Sequence, residues 1–397
     1  MIFKLTLMNL TNNLGMVKAA TRQYEGDFIA GRGSSIRIEN PVQYTGQTTN
    51  TISTFEDTEE TSTTLVVDKI AVVAPSFSQV ELSRSVTNFN QTYAKPIGIR
   101  LGNLVAVELQ SALNLGVHNF VGSTAPLSGF NGVDDAKTRI QEMGVEWVDM
   151  YCGLSPKSMS GVRQGTLGLF TPSQNDKIVM RGSVGMYDDF EMFWDQTMAR
   201  HTTGTMPGSP VTATSGVTDG SATVLLTGFT ASQTGVLTAG DVITFAGIYA
   251  VNPQSKQVLT HLAQFTVQST VNSSSGAGTA TITLDVPILF DSPYQNVSAL
   301  PTDGTAISAF GVTTAGTAVS YMKNMAFTKT GVAVVAPQRV RNPGAVTSIS
   351  ETDSETGLAM CLNVAYTIQE NINLYRFDIV YGRKVFGNYV TGLAAAA

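Results

Sequence analysis

The stretch GDVITFAGI, Gly240–Ile248, decides how this chain is divided. It reads as one short strand closed by a glycine at either end, where a turn profits from a residue without a Cβ. The sequence around it is rich in Thr, Ser, Gly and Ala. From Thr202 to Ser320 the only charged residues are Asp219, Asp241, Lys256, Asp285, Asp291 and Asp303, with no Arg and no Glu. Within that span ATVLLTG, GDVITFAG, QFTVQST and ATITLDV recur at intervals suited to a small all-β sandwich or barrel. A low-charge β-module over residues 209–318, set into a surface loop of a differently composed body, is the reading that follows.

Working outward, the body has an α+β pattern. Residues 1–33 are weakly patterned and read as an extended arm. Residues 34–75 contain SSIRIENPVQY and TSTTLVVDKIAVVAP, two β-branched runs separated by a polar, acidic tip, and so an extended hairpin with little core of its own. Within 76–129, Leu101, Leu104, Val105, Leu109, Ala112 and Leu113 recur at helical spacing after Pro96, which predicts one long helix ending near Gly116. Within 130–208, NGVDDAKTRIQEMG predicts a helix capped by Asn131, VEWVDMYC a strand, and Ser155-Pro156 a further helix start. Residues 319–397 return to the body's composition with NMAFTKTGVAVVAP, GLAMCLNVAYT and NLYRFDIVYGRKVF.

Length and composition bound the function. A chain of 397 residues, 43% hydrophobic, predicts two or three folded domains. A net charge of −6 with no Lys/Arg run argues against gripping nucleic acid through counterion release. No secretory leader and no membrane span of about 18 apolar residues is recognisable. Two cysteines, Cys152 and Cys361, do not make a disulfide framework and suggest a reducing compartment.

The search for chemistry returns little. His118, His201 and His261 lack partners at metal-ligand spacing, so no metal is expected, and no phosphate-binding loop, dinucleotide fingerprint or GxSxG elbow is present, so no cofactor is expected either. SYMK, Ser320–Lys323, matches a Ser/Lys acyl-enzyme spacing but lacks the companion motifs. In YDDFEMFWDQ, a helix would align Asp188, Glu191 and Asp195 on one face, an arrangement that could hold a divalent cation or pair an acid with a base; the simpler reading is a solvated acidic face with no His or Lys nearby. The acidic run Glu56, Asp57, Glu59 and Glu60 reads as a charged hairpin tip that meets basic residues of an adjacent subunit. An arm, a protruding hairpin and an inserted module without catalytic machinery are features of a protein that assembles.

The order arm, long hairpin, long helix, α+β region, returning strands resembles that of the major capsid protein of tailed double-stranded DNA bacteriophages, the Hong Kong 97-type fold. NMAFTKTGVAVVA is similar to the family's late strand and LYRFDIVYGRKVF to its closing strand. TAGDVITFAGIYAV and VGMYDDFEMFWDQTMARHTTG resemble, in turn, the inserted β-barrel of the short-tailed-phage coat proteins and the segment before it. The resemblance implies a non-enzymatic structural subunit that self-assembles into pentamers and hexamers of an icosahedral shell around double-stranded DNA, without sequence-specific DNA binding. It implies scaffolding and portal proteins as partners, with a possible decoration protein, and assembly in the bacterial cytoplasm followed by residence in the virion capsid. It also implies that the module aids subunit folding on the shell's outer side. The charged hairpin this branch extends toward neighbouring capsomers is here reduced to TSGVTDGSATV. The different reading weighed against this one is a β-rich tail or surface adhesin that binds carbohydrate.

Overall fold

The computed structural model describes all residues except 1, 9, 11–13, 29–33, 47–54, 56–57, 79–89, 147, 167–184, 214–215, 341 and 397. The body is α+β, with two sheets of seven strands each. In the first, Ser35–Glu39, Ser62–Val73, Ile372–Val385, Ala359–Thr367 and Thr347–Thr352 lie side by side and antiparallel, and Val332–Val335 and Ser76–Ser78 also pair with Ile372–Val385. The second runs Phe120–Gly122, Val390–Ala396, Ser320–Thr328, Met150–Leu154, Phe190–Trp194, Met186–Tyr187, with Arg200–Thr202 joined to Ser320–Thr328.

The long helix spans Lys95–Gly116, with proline in its first turn as the sequence predicts. At 1.5 Å per residue it is about 33 Å long. Ile97, Leu101, Val105, Leu109 and Leu113, four residues apart, are all buried and form one stripe against the first sheet. The expected extended arm is different: Ile2–Met8 and Gly15–Ala19 are helices, and Phe3, Leu10, Leu14, Met16 and Val17 pack into the same core. A Cβ at Gly102 would come within 2.9 Å of the Leu10 carbonyl oxygen, so glycine is what lets this segment lie on the long helix.

Asn131 does not cap its helix. It is the first residue of Asn131–Glu142, and Phe130 stands at the cap position without a side-chain bond. Ser155 acts as expected, its Oγ accepting from the Ser158 amide at 3.2 Å where Pro156–Thr166 begins.

Residues 206–312 close around a second core, centred on Phe245, Phe265, Leu226 and Ile282 and separate from the two cores of the body. Two three-stranded sheets enclose it: Ala280–Ile288, Ser221–Phe229 and Gly208–Thr212; then Val258–Thr266, Val242–Val251 and Ile307–Ala309. Single bridges, Val211 to Ala306 and Val267 to Leu284, join the sheets at both margins, so the six strands follow one another around a ring. Gly247 does not end its strand as expected. Its φ of +77° accompanies a register shift inside Val242–Val251, and the strand continues beyond it. Where this stretch leaves the body, Thr203 and Val319 bond to each other at 3.0 Å in both directions.

Candidate functional site: the hairpin and the seam

The hairpin strands Ser35–Glu39 and Ser62–Val73 pair antiparallel from Ser35 opposite Val66 to Glu39 opposite Ser62. Val66, Ile70 and Val72 stand on one face of the longer strand, exposed. Of the acidic tip, Glu56 and Asp57 lie outside the described residues, while Glu59 and Glu60 are exposed. The hairpin rests on its own chain on the tip side of its paired strands. The Tyr294 hydroxyl lies 3.0 Å from the Glu59 carbonyl oxygen and 3.3 Å from that of Pro41, touching both arms, and Ser292 donates to the Glu59 carboxylate at 3.4 Å. Lys256 Nζ reaches Gln43 Oε1 at 3.5 Å and donates to the Pro293 carbonyl. Nothing in the sequence spacing indicated these ties.

Between residues 203–319 and the body runs a seam in which Val242 and Phe310 pack on the body's core and polar groups tie the rest. Side-chain amides and hydroxyls from one side meet backbone from the other: Gln264 to Phe120 at both amide atoms, Thr266 to the Val117 carbonyl, Gln268 to that of Leu115, Asn252 to that of Glu142 and Gln254 to that of Gly144. Each of the chain's three histidines pairs with a carboxylate across it. His118 Nδ1 is 2.7 Å from Asp285 Oδ2, His201 Nε2 is 2.7 Å from Asp241 Oδ1, and His261 Nδ1 is 3.2 Å from Glu142 Oε2.

Asp241 is fully buried, and its carboxylate also accepts from the Gly204 amide at 3.0 Å, the Thr238 amide at 2.7 Å and the Thr238 hydroxyl at 3.2 Å. Beside it Lys323 is buried as well, its ammonium donating to the Gly240 carbonyl at 2.6 Å and facing the Phe120 ring at 4.7 Å. Burial pulls the Lys323 ammonium down to about 7 although the Asp241 charge opposes this. Gly240 is needed here twice: its φ is +93°, and a Cβ would meet the Asn114 side chain at 2.5 Å.

Protonation differs among the histidines. Burial favours neutral His118, but the Asp285 carboxylate and the Asn388 side chain outweigh it and raise the ring's pKa. Burial lowers His201, with the Lys323 charge adding to it. Burial, then the Arg139 guanidinium, takes His261 down to about 4. Its geometry agrees. Nδ1 faces Glu142 while Nε2 is buried without a hydrogen-bond partner among the described residues, so a second ring proton would find no acceptor.

The acidic stretch is not a helix. Met186–Tyr187 and Phe190–Trp194 are antiparallel strands, and Asp188 and Asp189 form the turn at φ of 47° and 66°. Strand alternation disperses the trio: Glu191 points to solvent, and Asp195 is buried, accepting from the Thr197 amide and hydroxyl at 2.8 and 2.7 Å. A lysine does lie nearby. Lys137 Nζ sits 2.6 Å from Asp188 Oδ1 and 3.2 Å from Asp189 Oδ2, brought there from the helix Asn131–Glu142. Ser320 and Lys323 do not meet either: Ser320 Oγ pairs with Thr202 Oγ1, while Lys323 turns to Gly240. Among the described residues no three His, Cys, Asp or Glu side chains are arranged to hold a metal, and no helix is long and apolar enough to cross a membrane. Burial pushes the Cys152 thiol up to about 12, away from reactivity.

Residues 210–394, a little under half of the chain, match the family model described as "P22 coat protein - gene protein 5". The class that match points to is that of coat proteins, to which these residues are similar. The family likeness is in particular to the P22 coat protein, across the second core and the returning strands. No curated protein matches the chain. Among solved structures it is similar to "Mycobacterium phage Che8" at 10% identity, over 94% of this chain and 89% of that one, with a TM-score of 0.49. It is similar also to "Capsid of Ralstonia phage GP4", at 10% identity over 98% and 88% with a TM-score of 0.46, and to "Capsid structure of the Cyanophage P-SCSP1u", at 10% over 92% and 84% with 0.42.

Proposed function

We propose that this subunit assembles into pentamers and hexamers of an icosahedral shell around double-stranded DNA, in the bacterial cytoplasm, with scaffolding and portal proteins as partners and without catalysis. The observation that carries the reading is the match of residues 210–394 to the coat-protein family. What supports its detail is the hairpin, whose exposed Val66, Ile70 and Val72, with Asp68 among them, leave a largely apolar surface for a neighbouring subunit to cover. Repeated in a closed symmetric array, many such contacts add up to a stable shell while each remains weak.

The proposed division of the chain is an arm (1–33), the hairpin (34–75), a peripheral region with the long helix (76–129), an axial region (130–208), an inserted barrel module (209–318) and a returning part (319–397). The second core supports the module's independence. Glu56, Asp57, Glu59 and Glu60 are proposed as contacts to the adjacent subunit.

The test is expression with a scaffolding protein, followed by sedimentation and electron microscopy. Shells or capsomers are the expected product. A chain that remains monomeric under all such conditions would refute the reading.

A further inference from the structure

The seam joins an apolar contact, Val242 and Phe310 against the body's core and the Phe120 ring, to a larger set of polar ties. His118, His201 and His261 all lie on it, each facing a carboxylate of the other side, although they are spread over the sequence. A seam closed in part by histidine–carboxylate pairs responds to protons, because the imidazole ring gains or loses its charge with pH. The groups facing each ring are few. His118 meets Asp285, which itself accepts from the Thr266 amide at 2.9 Å, and the Asn388 side chain. His201 meets Asp241, Lys323 and, edge-on at 5.5 Å, the Tyr321 ring. His261 meets Glu142 and Arg139.

We propose that the three histidines form a proton-operated latch that holds residues 203–319 on the body only over a window of pH, closing on a charged ring at His118 and on neutral rings at His201 and His261. The proposal rests on the reading of that stretch as a separate module. Acid opens the latch because a second proton on His261 would bury an N–H without an acceptor, and one on His201 would add a cation beside the Lys323 ammonium. Alkali opens it because a neutral His118 no longer forms an ion pair with Asp285. Such a device would let a shell subunit shift its outer module without unfolding either part.

The test is hydrogen exchange of the full chain at about pH 4.5, 6.5 and 8.5, corrected for chemical exchange. The reporting amide is that of Phe120, which donates across the seam to Gln264 Oε1 at 2.7 Å, and the reference strands are Ser221–Phe229 and Ala280–Ile288. The reporting amide is expected to exchange about tenfold faster at the two extremes than at the middle value, with the reference strands still protected. His261→Gln is expected to reduce the acid-side rise and His118→Gln the alkaline one. A flat profile with protected reference strands would overturn the latch, as would a full acid-side rise in a chain carrying both His261→Gln and His201→Gln. Simultaneous loss of protection at the seam and in the reference strands would overturn the separate-module reading instead. Because the unmodified chain already gives the profile, a variant that fails to fold leaves the test intact.

Discussion

His201 and Asp241 lie 2.7 Å apart with neither exposed, 40 residues distant in sequence and on opposite sides of the seam. The carboxylate holds together four donors, two of them the backbone amides of Gly204 and Thr238. Removing one partner of a buried, fully bonded charge leaves the rest unpaired, which costs about 3 to 5 kcal/mol. Asp241→Ala is expected to lose stability on that scale, read as a lower midpoint in urea denaturation. Asp241→Asn, which keeps part of the acceptor set, is expected to lose less.

The second core depends on Phe245 and Phe265, both buried, with ring centroids 6.0 Å apart and nearly edge to face. Truncating either to alanine is expected to cost about 3 to 5 kcal/mol through lost burial and the cavity left behind. Near-ultraviolet circular dichroism and calorimetry would detect it, and an unchanged melting curve would contradict the assignment of these rings to the core.

His261 gives a signed pH dependence. Its folded pKa of about 4 lies below the ordinary 6.5, so the folded chain binds the proton less readily than the unfolded chain. Stability from this group is full above about pH 6.5 and falls as pH drops toward 4, by about 3 kcal/mol in all. His118, with its raised value, runs the other way: its contribution is present below 6.5 and fades as pH rises above that. His261→Gln is expected to flatten the acid limb of the denaturation midpoint plotted against pH.

Tyr294→Phe removes one hydroxyl and leaves the ring in place. The tie to Glu59 and Pro41 is worth about 1 kcal/mol at most, so the melting temperature should hardly move. Limited proteolysis between the hairpin strands is expected to accelerate, and shells imaged by electron microscopy to become less uniform in size.

Neutralising Glu56, Asp57, Glu59 and Glu60 together is expected to alter assembly more than stability. Melting curves that match the parent beside a changed yield of shells in sedimentation would bear this out; a large drop in melting temperature with normal shells would contradict it.

The long helix and the hairpin were legible because their signals are local. Leu101, Val105, Leu109 and Leu113 repeat at a helical period that survives in the structure, and Ser62–Val73 carries enough β-branched residues to specify a strand. The N-terminal helices escaped because seven and five residues are too few to display a period. Asp188, Glu191 and Asp195 misled for a different reason. Helical spacing among acids is common by chance, whereas the decisive fact is a turn with two aspartates at positive φ, which Asp tolerates better than most side chains. The seam was not legible at all. His118 and Asp285 are 167 residues apart, and only the fold makes them neighbours.

Thr203 and Val319 are bonded to each other where the module departs, and Arg200–Thr202 is already zipped to Ser320–Thr328 before the chain leaves. The entry and exit points are therefore about one strand spacing apart, near 5 Å. This makes the site a socket: a foreign domain whose own termini lie that close can be spliced there without stretching the underlying sheet.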